Sequence, residues 1–384
     1  MLRPDKAAEP AVCMSMKAFS PGSKHMQTSP ESDITASVVI VINNFNYGRF
    51  LNDSVRSALS QTHANTRVVV IDDGSTDESR QILTALQGVY EKLEIHYKGN
   101  GGQLSCFNAA LPYIRGADWV FLLDADDQFA PNYVESMLAE ATSETAMLLA
   151  EIKQYDIRLG EQPLADCRIN TEPSIEIQRS AHMVAYLGLW LLRPTSALAV
   201  RGTLYRMILP YYPEEDWRIC ADEVVVFGAS IVGGSKRFVR SIGINYRVHG
   251  HNNYHGTDPR AHSTRLRKPR IELIAALKKR AGLSLRGFWP HRAKPVMNES
   301  LSIPTHHRRV LNIPSPIHIA AWPLMWPVRK SRPLLGRTYR WLMSRHSCLY
   351  PVDQLIRAKL GKPPRTPTLH ADAQQGNFSG KTGA

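Results

Sequence analysis

The chain has 384 residues, enough for one large domain with appendages or for two modest domains. Its apolar fraction of 43% excludes a mainly disordered protein. The net charge of +13 is unevenly distributed, since residues 256–384 hold 24 Lys and Arg but only 5 Asp and Glu. We therefore expect a mildly acidic globular body followed by a basic region drawn to phosphate-rich or anionic surfaces.

Five cysteines are scattered singly without a CxxC pair, which argues against a disulfide framework or a structural zinc site. The amino-terminal residues lack the apolar core of a signal peptide. The longest apolar runs, Met183–Leu192 and Ile319–Val328, are too short to span a bilayer. These features predict a cytoplasmic protein, either soluble or peripheral at the inner face of a membrane.

Residues 1–35 show no periodicity and are predicted to form a disordered leader. Beyond them, apolar β-branched runs alternate with segments of helical spacing. The predicted strands are Ser37–Ile42, a run from Arg67, Leu93–Lys98 and a run from Trp119. The predicted helices are Phe50–Gln61, one through Ile82 and Leu86, one around Phe107–Ile114 and one begun by Pro131.

This alternation with short connections predicts an α/β fold with a doubly wound, mostly parallel sheet flanked by helices. Ligands of such sheets bind at the carboxyl ends of the strands. The polar loops NNFN, DDGS, GNGGQ and DADD all fall at those ends. The loop after the first strand lacks GxGxxG, which disfavours a dinucleotide-binding fold, and it lacks the basic, glycine-rich loop of a nucleotidyltransferase.

The segment FLLDADDQFAP places Asp124, Asp126 and Asp127 directly after an apolar run. Two carboxylates at one strand end are suited to a single hard cation such as Mg²⁺ or Mn²⁺. The alternative is a solvated turn in which Asp126 or Asp127 caps the helix begun by Pro131. The residues of this segment leave both interpretations open.

The loops DDGSTD and GNGGQ have the same two interpretations. An Asp at a strand end is suited to accept the ring N–H of a nucleotide base, and Gly74 lets the backbone approach a ligand closely. The glycines of GNGGQ are suited to pass close to a sugar or a diphosphate. Both loops are also favourable turns before a helix, so neither is specific by itself.

Four segments in this order and spacing resemble the family-2 glycosyltransferases of GT-A fold: SVVIVINNFNYGRFL, VVVIDDGSTDES, GNGGQLSCFNAAL and WVFLLDADDQFAPNYV. The resemblance covers about residues 36–255. It implies a GT-A domain over 36–255. The composition of the rest of the chain predicts a basic and partly helical extension over 256–365 and a disordered tail over 366–384.

The resemblance implies a set of donor-binding residues at the polar loops. They are Asn43, Phe45, Asn46, Asp73, Gln103, Asn108 and Asp124. Phe45 stands where the family usually has Tyr, and an aromatic face at this position still stacks on a base. Asp73 corresponds to the acid that contacts the base, whereas Asp72 is expected to support the loop.

The metal site that the resemblance implies consists of Asp124, Asp126 and His249, with Mn²⁺ or Mg²⁺ as the cofactor. An imidazole ligand suits Mn²⁺ better than Mg²⁺. His249 is also open to a purely structural role, and His251 and His255 lie close enough in sequence to be confused with it.

An inverting transfer requires a carboxylate that takes the proton of the acceptor hydroxyl. The family usually supplies it from a Glu-Asp pair at a helix start, and the corresponding segment here is Ala221-Asp222-Glu223. Asp222 is the predicted catalytic base, Glu223 the alternative, and Glu215-Asp216 a weaker one. A capping role for Asp222 is the structural alternative.

The implied function is metal-dependent inverting glycosyl transfer, by default from a UDP-sugar, to a glycan or lipid-linked acceptor. A non-catalytic nucleotide-sugar or carbohydrate-binding protein on the same scaffold is the alternative. The basic extension predicts peripheral membrane contact or a solvated surface packed on the domain, and Ile271, Ile274, Ala275 and Leu277 fit one helical face. We expect no nucleic-acid partner, because no recognisable module accompanies the charge.

Overall fold

The computed structural model describes residues 35–188, 194–250, 252, 265–283, 289–311, 313, 316 and 319. Within these residues the chain forms one eight-stranded sheet and ten α-helices. The strands are β1 Val38–Asn44, β2 Thr66–Asp72, β3 Leu93–Tyr97, β4 Trp119–Asp124, β5 Thr145–Asp156, β6 Ile175–Ile177, β7 Leu198–Arg201 and β8 Ser235–Val248. The helices are α1 Gly48–Leu59, α2 Ser79–Gln87, α3 Gln103–Ala109, α4 Tyr133–Ala139, α5 Ala181–Leu187, α6 Gly202–Ile208, α7 Asp222–Val232, α8 Arg267–Arg280, α9 Trp289–Leu301 and α10 Thr305–Val310.

The sheet has the order β3-β2-β1-β4-β7-β5-β8-β6. The first four strands in that order are parallel, and β5 and β8 form a second parallel pair. β7 joins the two groups by pairing antiparallel with both β4 and β5. The predicted fold class, a mostly parallel sheet flanked by helices, is confirmed.

β1 shows why an unbroken apolar run forms a central strand. Val39 and Val41 face one hydrophobic core, whereas Val38, Ile40 and Ile42 face the other. All five side chains are buried, because helices cover both faces of the sheet. Burying each contributes roughly 1.5–3 kcal/mol, and the strand is thereby fixed with its polar carboxyl end at the edge of the sheet.

The helix predicted to begin at Pro131 begins instead at Tyr133, with Asn132 at its N-cap position. Neither Asp126 nor Asp127 caps it, so that alternative is wrong. Before the helix, the backbone N–H and C=O of Gln128 pair with Asn245 of β8. This bridge keeps the chain extended after the acidic cluster and delays the helix.

The described part of the basic region packs on the same core as the sheet. α8 lies against α7, and its Leu273 and Leu277 are fully buried there. The face predicted for this helix is partly wrong, since Ile271 and Ala275 are exposed. The boundary predicted at residue 255 stays a prediction, and the predicted leader and tail lie almost wholly outside the described residues. None of the described helices is both long and apolar enough to cross a membrane.

Candidate active site at the carboxyl edge of the sheet

A cleft of about 1040 Å³ opens where β1, β2 and β4 end beside the start of α7. The strand register places Asn43 beside Asp124, so loops distant in the sequence meet at one edge. The predicted site residues that line the cleft are Asn43, Phe45, Asn46, Asp73, Gln103, Asp124, Asp126 and Asp222. Asn108, Glu223 and His249 lie outside this lining.

Asp124, the last residue of β4, is held by neighbours on both sides. Its Oδ1 accepts hydrogen bonds from Asn43 Nδ2 at 2.9 Å and from Gln103 Nε2 at 3.1 Å. Burial and the neighbouring Asp126 carboxylate nevertheless raise the pKa of Asp124 to about 7. Near neutral pH this end of β4 therefore favours a positive charge between the carboxylates.

Asp126 contacts His249, a buried residue that lies outside the lining of the cleft. Nε2 of His249 lies 3.0 Å from Oδ2 of Asp126, and Nη2 of Arg49 lies 3.4 Å from Nδ1. A guanidinium can only donate, so Arg49 is a possible donor to Nδ1, while Nε2 faces the Asp126 carboxylate. His249 positions Asp126 in this way, and its role as a metal ligand stays a prediction.

Asp127 contributes both to the turn and to the acidic cluster. Its backbone N–H donates to Asp124 O at 3.1 Å, as expected for a turn residue. Its buried carboxylate accepts from the Ser196 hydroxyl at 2.6 Å and from the Arg247 backbone N–H at 2.9 Å. Burial and the charges of Asp126 and Asp124 raise the pKa of Asp127 well above its usual range.

The acidic cluster fits a divalent cation. Asp124, Asp126 and Asp127 each offer an oxygen atom, and these atoms lie within 4.8 Å of one another. Small hard cations prefer such oxygen ligands. Asp127 already uses both oxygens in hydrogen bonds, whereas Asp124 and Asp126 line the cleft. These two are therefore the residues that would hold the ion.

The other end of the cleft carries the residues predicted to bind the base. The side chain of Phe45 is 43% exposed and lines the cleft, so its face is available for stacking. Asn46 has a positive φ of 57°, and its Oδ1 accepts from the Thr76 backbone N–H at 2.7 Å. Its backbone N–H donates to Ser75 Oγ at 3.0 Å. Asn46 therefore holds the DGST loop against the end of β1.

Asp73 fixes the glycine-rich loop to the end of β2. Its two carboxylate oxygens accept from the N–H groups of Gly101 at 2.8 Å and Gly102 at 2.7 Å, and it forms an ion pair with Lys98. The contact of Asp73 with a base stays a prediction. Asp72 accepts from the Ser75 backbone N–H at 3.1 Å, as its expected role in supporting the loop requires.

Gln103 connects the acidic cluster to the start of α7. Its Nε2 donates to Asp124 and to Thr195 Oγ1 at 2.9 Å, while its Oε1 accepts from the Ala221 backbone N–H at 2.9 Å. The preceding Gly102 has a positive φ of 87°, and a Cβ atom there would collide with the Arg218 backbone. Glycine is therefore required for this close approach, and Gln103 for the bridge that follows it.

Asn108 supports the segment before α7 instead of the cleft surface. Its Nδ2 donates to Tyr211 O at 3.0 Å and to Glu214 Oε1 at 2.7 Å, and its Oδ1 accepts from Tyr211 N at 3.2 Å. These bonds occupy the amide one layer behind the lining. Its predicted contact with a donor sugar has no counterpart in this geometry and stays a prediction.

Asp222 is the first residue of α7 and lines the cleft, while Ala221 occupies the N-cap position. The capping alternative for Asp222 is thus not supported. Burial and the carboxylates of Glu223 and Asp124 raise the pKa of Asp222 well above its usual range. A carboxyl with a raised pKa in a cleft is suited to accept a proton near neutral pH.

Glu223, the alternative base, is fully buried and forms a bidentate ion pair with Arg270 of α8. It lies outside the cleft lining, which disfavours a catalytic role. Glu215 and Asp216 form a short 3₁₀ turn that also lies outside the lining. Of the four acids considered from the sequence, Asp222 alone reaches the cleft.

Two arginines that the sequence did not indicate also line the cleft. Arg49 lies at the start of α1, and Arg218 lies between the acidic pairs of EEDWRICADE. Single arginines outside a motif give no sequence signal, although the position of Arg218 between acids was a possible clue. They supply positive charge in a cleft whose strand end is acidic. The histidines at 251 and 255 lie outside the described residues.

Comparisons with known proteins identify the family. Residues 38–195 match the family model for glycosyl transferase family 2. An uncharacterized glycosyltransferase of Nostoc sp. is 30% identical over 218 residues, which cover 56% of this chain and 66% of that protein. Chondroitin synthase of Pasteurella multocida is 36% identical over 103 residues, which cover 27% of this chain and 11% of the synthase.

A crystal structure of S. aureus TarS in complex with UDP-GlcNAc aligns with 86% of this chain and 93% of that chain, at 18% identity and a TM-score of 0.49. The chain covers less than two thirds of the length of both curated relatives. The four motif loops described above all lie within the matched segment. Through residues 38–195, the chain belongs to glycosyl transferase family 2.

Proposed function

We propose that the protein is a metal-dependent, inverting glycosyltransferase that moves a sugar from a nucleoside-diphosphate sugar to an acceptor hydroxyl in glycan or polysaccharide biosynthesis. One observation carries the proposal. Asp124 and Asp126 at the end of β4 and Asp222 at the start of α7 face the same cleft, and Gln103 is bonded to both elements. A cation site and a proton acceptor on one cavity are the two parts that this reaction needs.

The donor is proposed to lie along the ends of β1, β2 and β4. The exposed face of Phe45 would stack on the base, and a UDP-linked sugar is the default donor for this family. Arg49 and Arg218 would offset the charge of the diphosphate. A volume of about 1040 Å³ accommodates a nucleotide-sugar together with part of an acceptor.

Asp124 and Asp126 would hold the cation, with His249 orienting Asp126. When bound, Mg²⁺ or Mn²⁺ supplies positive charge to the diphosphate and makes it a better leaving group. Asn43 and Gln103 keep the Asp124 carboxylate directed along the strand end through their hydrogen bonds. Measuring turnover with each metal separately would distinguish Mn²⁺ from Mg²⁺.

Asp222 is proposed to take the acceptor proton as the acceptor oxygen attacks the anomeric carbon. The new bond forms on the face opposite the diphosphate while the bond from that carbon to the diphosphate oxygen breaks. One displacement of this kind inverts the anomeric configuration, and the proton ends on the Asp222 carboxylate. The raised pKa of Asp222 favours this transfer at neutral pH.

The acceptor is proposed to be a glycan or a lipid-linked saccharide, with the basic region making peripheral contact with an anionic membrane. Lys279 on α8 is exposed and available for such contact. Because Leu273 and Leu277 belong to the core, a truncated chain would be a poor test. The full chain should float with phosphatidylglycerol vesicles at low salt and not with phosphatidylcholine vesicles. Equal flotation with both would remove the membrane contact.

The function is tested with purified full-length protein and a panel of UDP-, GDP- and dTDP-sugars. We expect release of a nucleoside diphosphate that requires Mn²⁺ or Mg²⁺ and stops on addition of EDTA. Nuclear magnetic resonance of the anomeric proton of the product reports inversion or retention. Tight nucleotide binding without turnover for any donor would instead support the non-catalytic binding protein.

A further inference from the structure

Helix α8 of the basic region contacts the helix that bears Asp222. α7 and α8 pack against each other, and Leu273 and Leu277 of α8 share one core with Val224 and Val225 of α7. The cationic residues of α8 are therefore not a uniformly solvated surface. Some of them face the element on which the proposed base stands.

The closest of these contacts joins Arg270 to Glu223. Nε and Nη2 of Arg270 donate to the two carboxylate oxygens of Glu223, which is fully buried. The Arg270 side chain is itself only 22% exposed. A bidentate pair of this kind fixes orientation as well as charge, since two N–H groups of the planar guanidinium are aligned with the two carboxylate oxygens.

Two further arginines bind backbone carbonyls on either side of this contact. Arg280 Nη1 donates to Met207 O at 2.7 Å and to Ile208 O at 2.6 Å, at the end of α6. Arg265, just before α8, reaches Ile219 O at 3.5 Å. Two segments that precede α7 in the chain are thus connected to α8 or to the residues just before it.

Glu223 is also connected to Asp222 directly, because its backbone N–H donates to Asp222 Oδ1 at 3.1 Å. A buried carboxylate that loses its cation is strongly destabilised and moves toward water or toward another partner. Any such movement of Glu223 would displace the first turn of α7 and the carboxylate next to it. A displacement of about 1 Å at a reacting group can cost about 100-fold in rate.

We propose that Arg270 is a positioning residue of the transferase site: it neutralises Glu223 and fixes the first turn of α7, so that Asp222 faces the cleft. The described part of the basic region then serves catalysis through α8, whatever its contact with membranes. This inference rests on the proposed function of Asp222 as the base.

The test uses the full chain with Arg270→Ala and Arg270→Lys, and with Lys268→Ala as the matched control. Lys268 is a cation on the same helix whose ion pair with Glu272 is exposed to solvent. The probes are UDP binding in the presence of Mn²⁺ and UDP release from a saturating mixture of UDP-glucose, UDP-galactose and UDP-N-acetylglucosamine. Backbone hydrogen exchange over residues 220–226 reports the order of the α7 start independently of turnover.

We expect Arg270→Ala to lower the rate of UDP release by about 10- to 100-fold, to leave the Kd for UDP unchanged within about twofold, and to speed exchange over residues 220–226. Arg270→Lys keeps the charge but loses the bidentate geometry, so its rate should lie between the rates of the wild type and of Arg270→Ala. Lys268→Ala should match the wild type in every measurement. An unchanged rate and unchanged exchange in folded Arg270→Ala would overturn the proposal, as would a parallel loss of UDP binding.

If Arg270→Ala does not fold, the double variant Glu223→Gln with Arg270→Met decides. It leaves no unpaired buried charge and is expected to fold. The proposal requires that its rate still falls at unchanged UDP affinity, and a wild-type rate would overturn it. Should the wild type release no UDP at all, the proposed function fails, while faster exchange in the variants would still show that Arg270 orders the α7 start.

Discussion

The end of β4 and the start of α7 carry the same pattern of adjacent acids, and the structure uses the members differently. In each adjacent pair the first acid, Asp126 or Asp222, lines the cleft and the second, Asp127 or Glu223, is buried. Asp127 receives hydrogen bonds from a hydroxyl and a backbone N–H, whereas Glu223 receives a guanidinium. The role of each acid is therefore set by the partner that the tertiary structure places beside it, more than by the local sequence motif.

The two regions also differ in the origin of their partners. Asp124 is held by Asn43 of the neighbouring strand and by Gln103, the first residue of α3. Glu223 is held by Arg270, which comes from the basic carboxyl-terminal region. The first arrangement follows from the parallel sheet itself, whereas the second requires a helix that lies beyond the matched family segment.

The largest effects are expected from two of the acids that line the cleft, Asp222 and Asp126. Asp222→Asn keeps the size of the side chain but removes the proton acceptor, so transfer should fall by about 10²- to 10⁴-fold. Asp126→Ala should abolish transfer by removing an oxygen ligand of the proposed cation. Both effects are measured as release of the nucleoside diphosphate from the donor that the panel of nucleotide-sugars identifies.

Folding and donor binding separate these losses from damage to the structure. Asp222→Asn should retain UDP binding in the presence of Mn²⁺, since the proposed role of Asp222 is toward the acceptor, whereas Asp126→Ala should weaken it. Glu91→Gln, an exposed acid far from the cleft, is the control and should leave turnover unchanged. Near-normal turnover by both active-site variants would contradict the assignment.

The cleft residues at the carboxyl ends of β1, β2 and β4 were predictable from the sequence, because each belongs to a short local motif. Asp124 follows an apolar strand in one motif, and parallel strands must end at the same edge. Asp222 was found through the family resemblance, since an acid at a helix start has several roles. The partner of Glu223 was not predictable, because Arg270 is 47 residues away in a region whose composition indicates only positive charge. Asn108 follows the motif in sequence but faces the layer behind it.

Gln103 tests whether the two regions act together. Gln103→Ala removes the hydrogen bonds to Asp124, to Thr195 and to the Ala221 N–H at once. We expect turnover to fall by about 10- to 100-fold, because both the acid of β4 and the start of α7 lose a fixed partner. Steady-state kinetics should show a lower kcat together with a higher KM for donor. A change in KM alone would indicate that Gln103 contacts the donor without joining the two regions.

The pH dependence of turnover reports the charge around Asp222. The base must be ionised, and its pKa is raised by burial and by the Glu223 and Asp124 carboxylates. The rate should therefore rise with pH, by up to about tenfold per unit, until the raised pKa is passed. Glu223→Gln removes one of the repelling charges and should shift the rise of the rate to lower pH. An unchanged rise in that variant would show that a group other than Asp222 controls the profile.

Variants of Asp127 should have the smallest effect on turnover. Their free energy of unfolding directly tests the contrast between Asp127 and Glu223. Because the pKa of Asp127 is raised in the folded protein, its ionised form costs stability above that pKa. This cost is lost as the pH falls from that pKa to the lower pKa of the unfolded chain. Asp127→Asn imitates the protonated form, and its oxygen can still accept from the Arg247 N–H. At pH 8 in EDTA this variant should therefore unfold at a denaturant concentration equal to or higher than that of the wild type. Asp127→Ala leaves the Ser196 hydroxyl and the Arg247 N–H unpaired, at about 1–3 kcal/mol for each buried group. Loss of stability in the Asn variant equal to that in the Ala variant would show that the ionised Asp127 is needed, as Glu223 is beside Arg270.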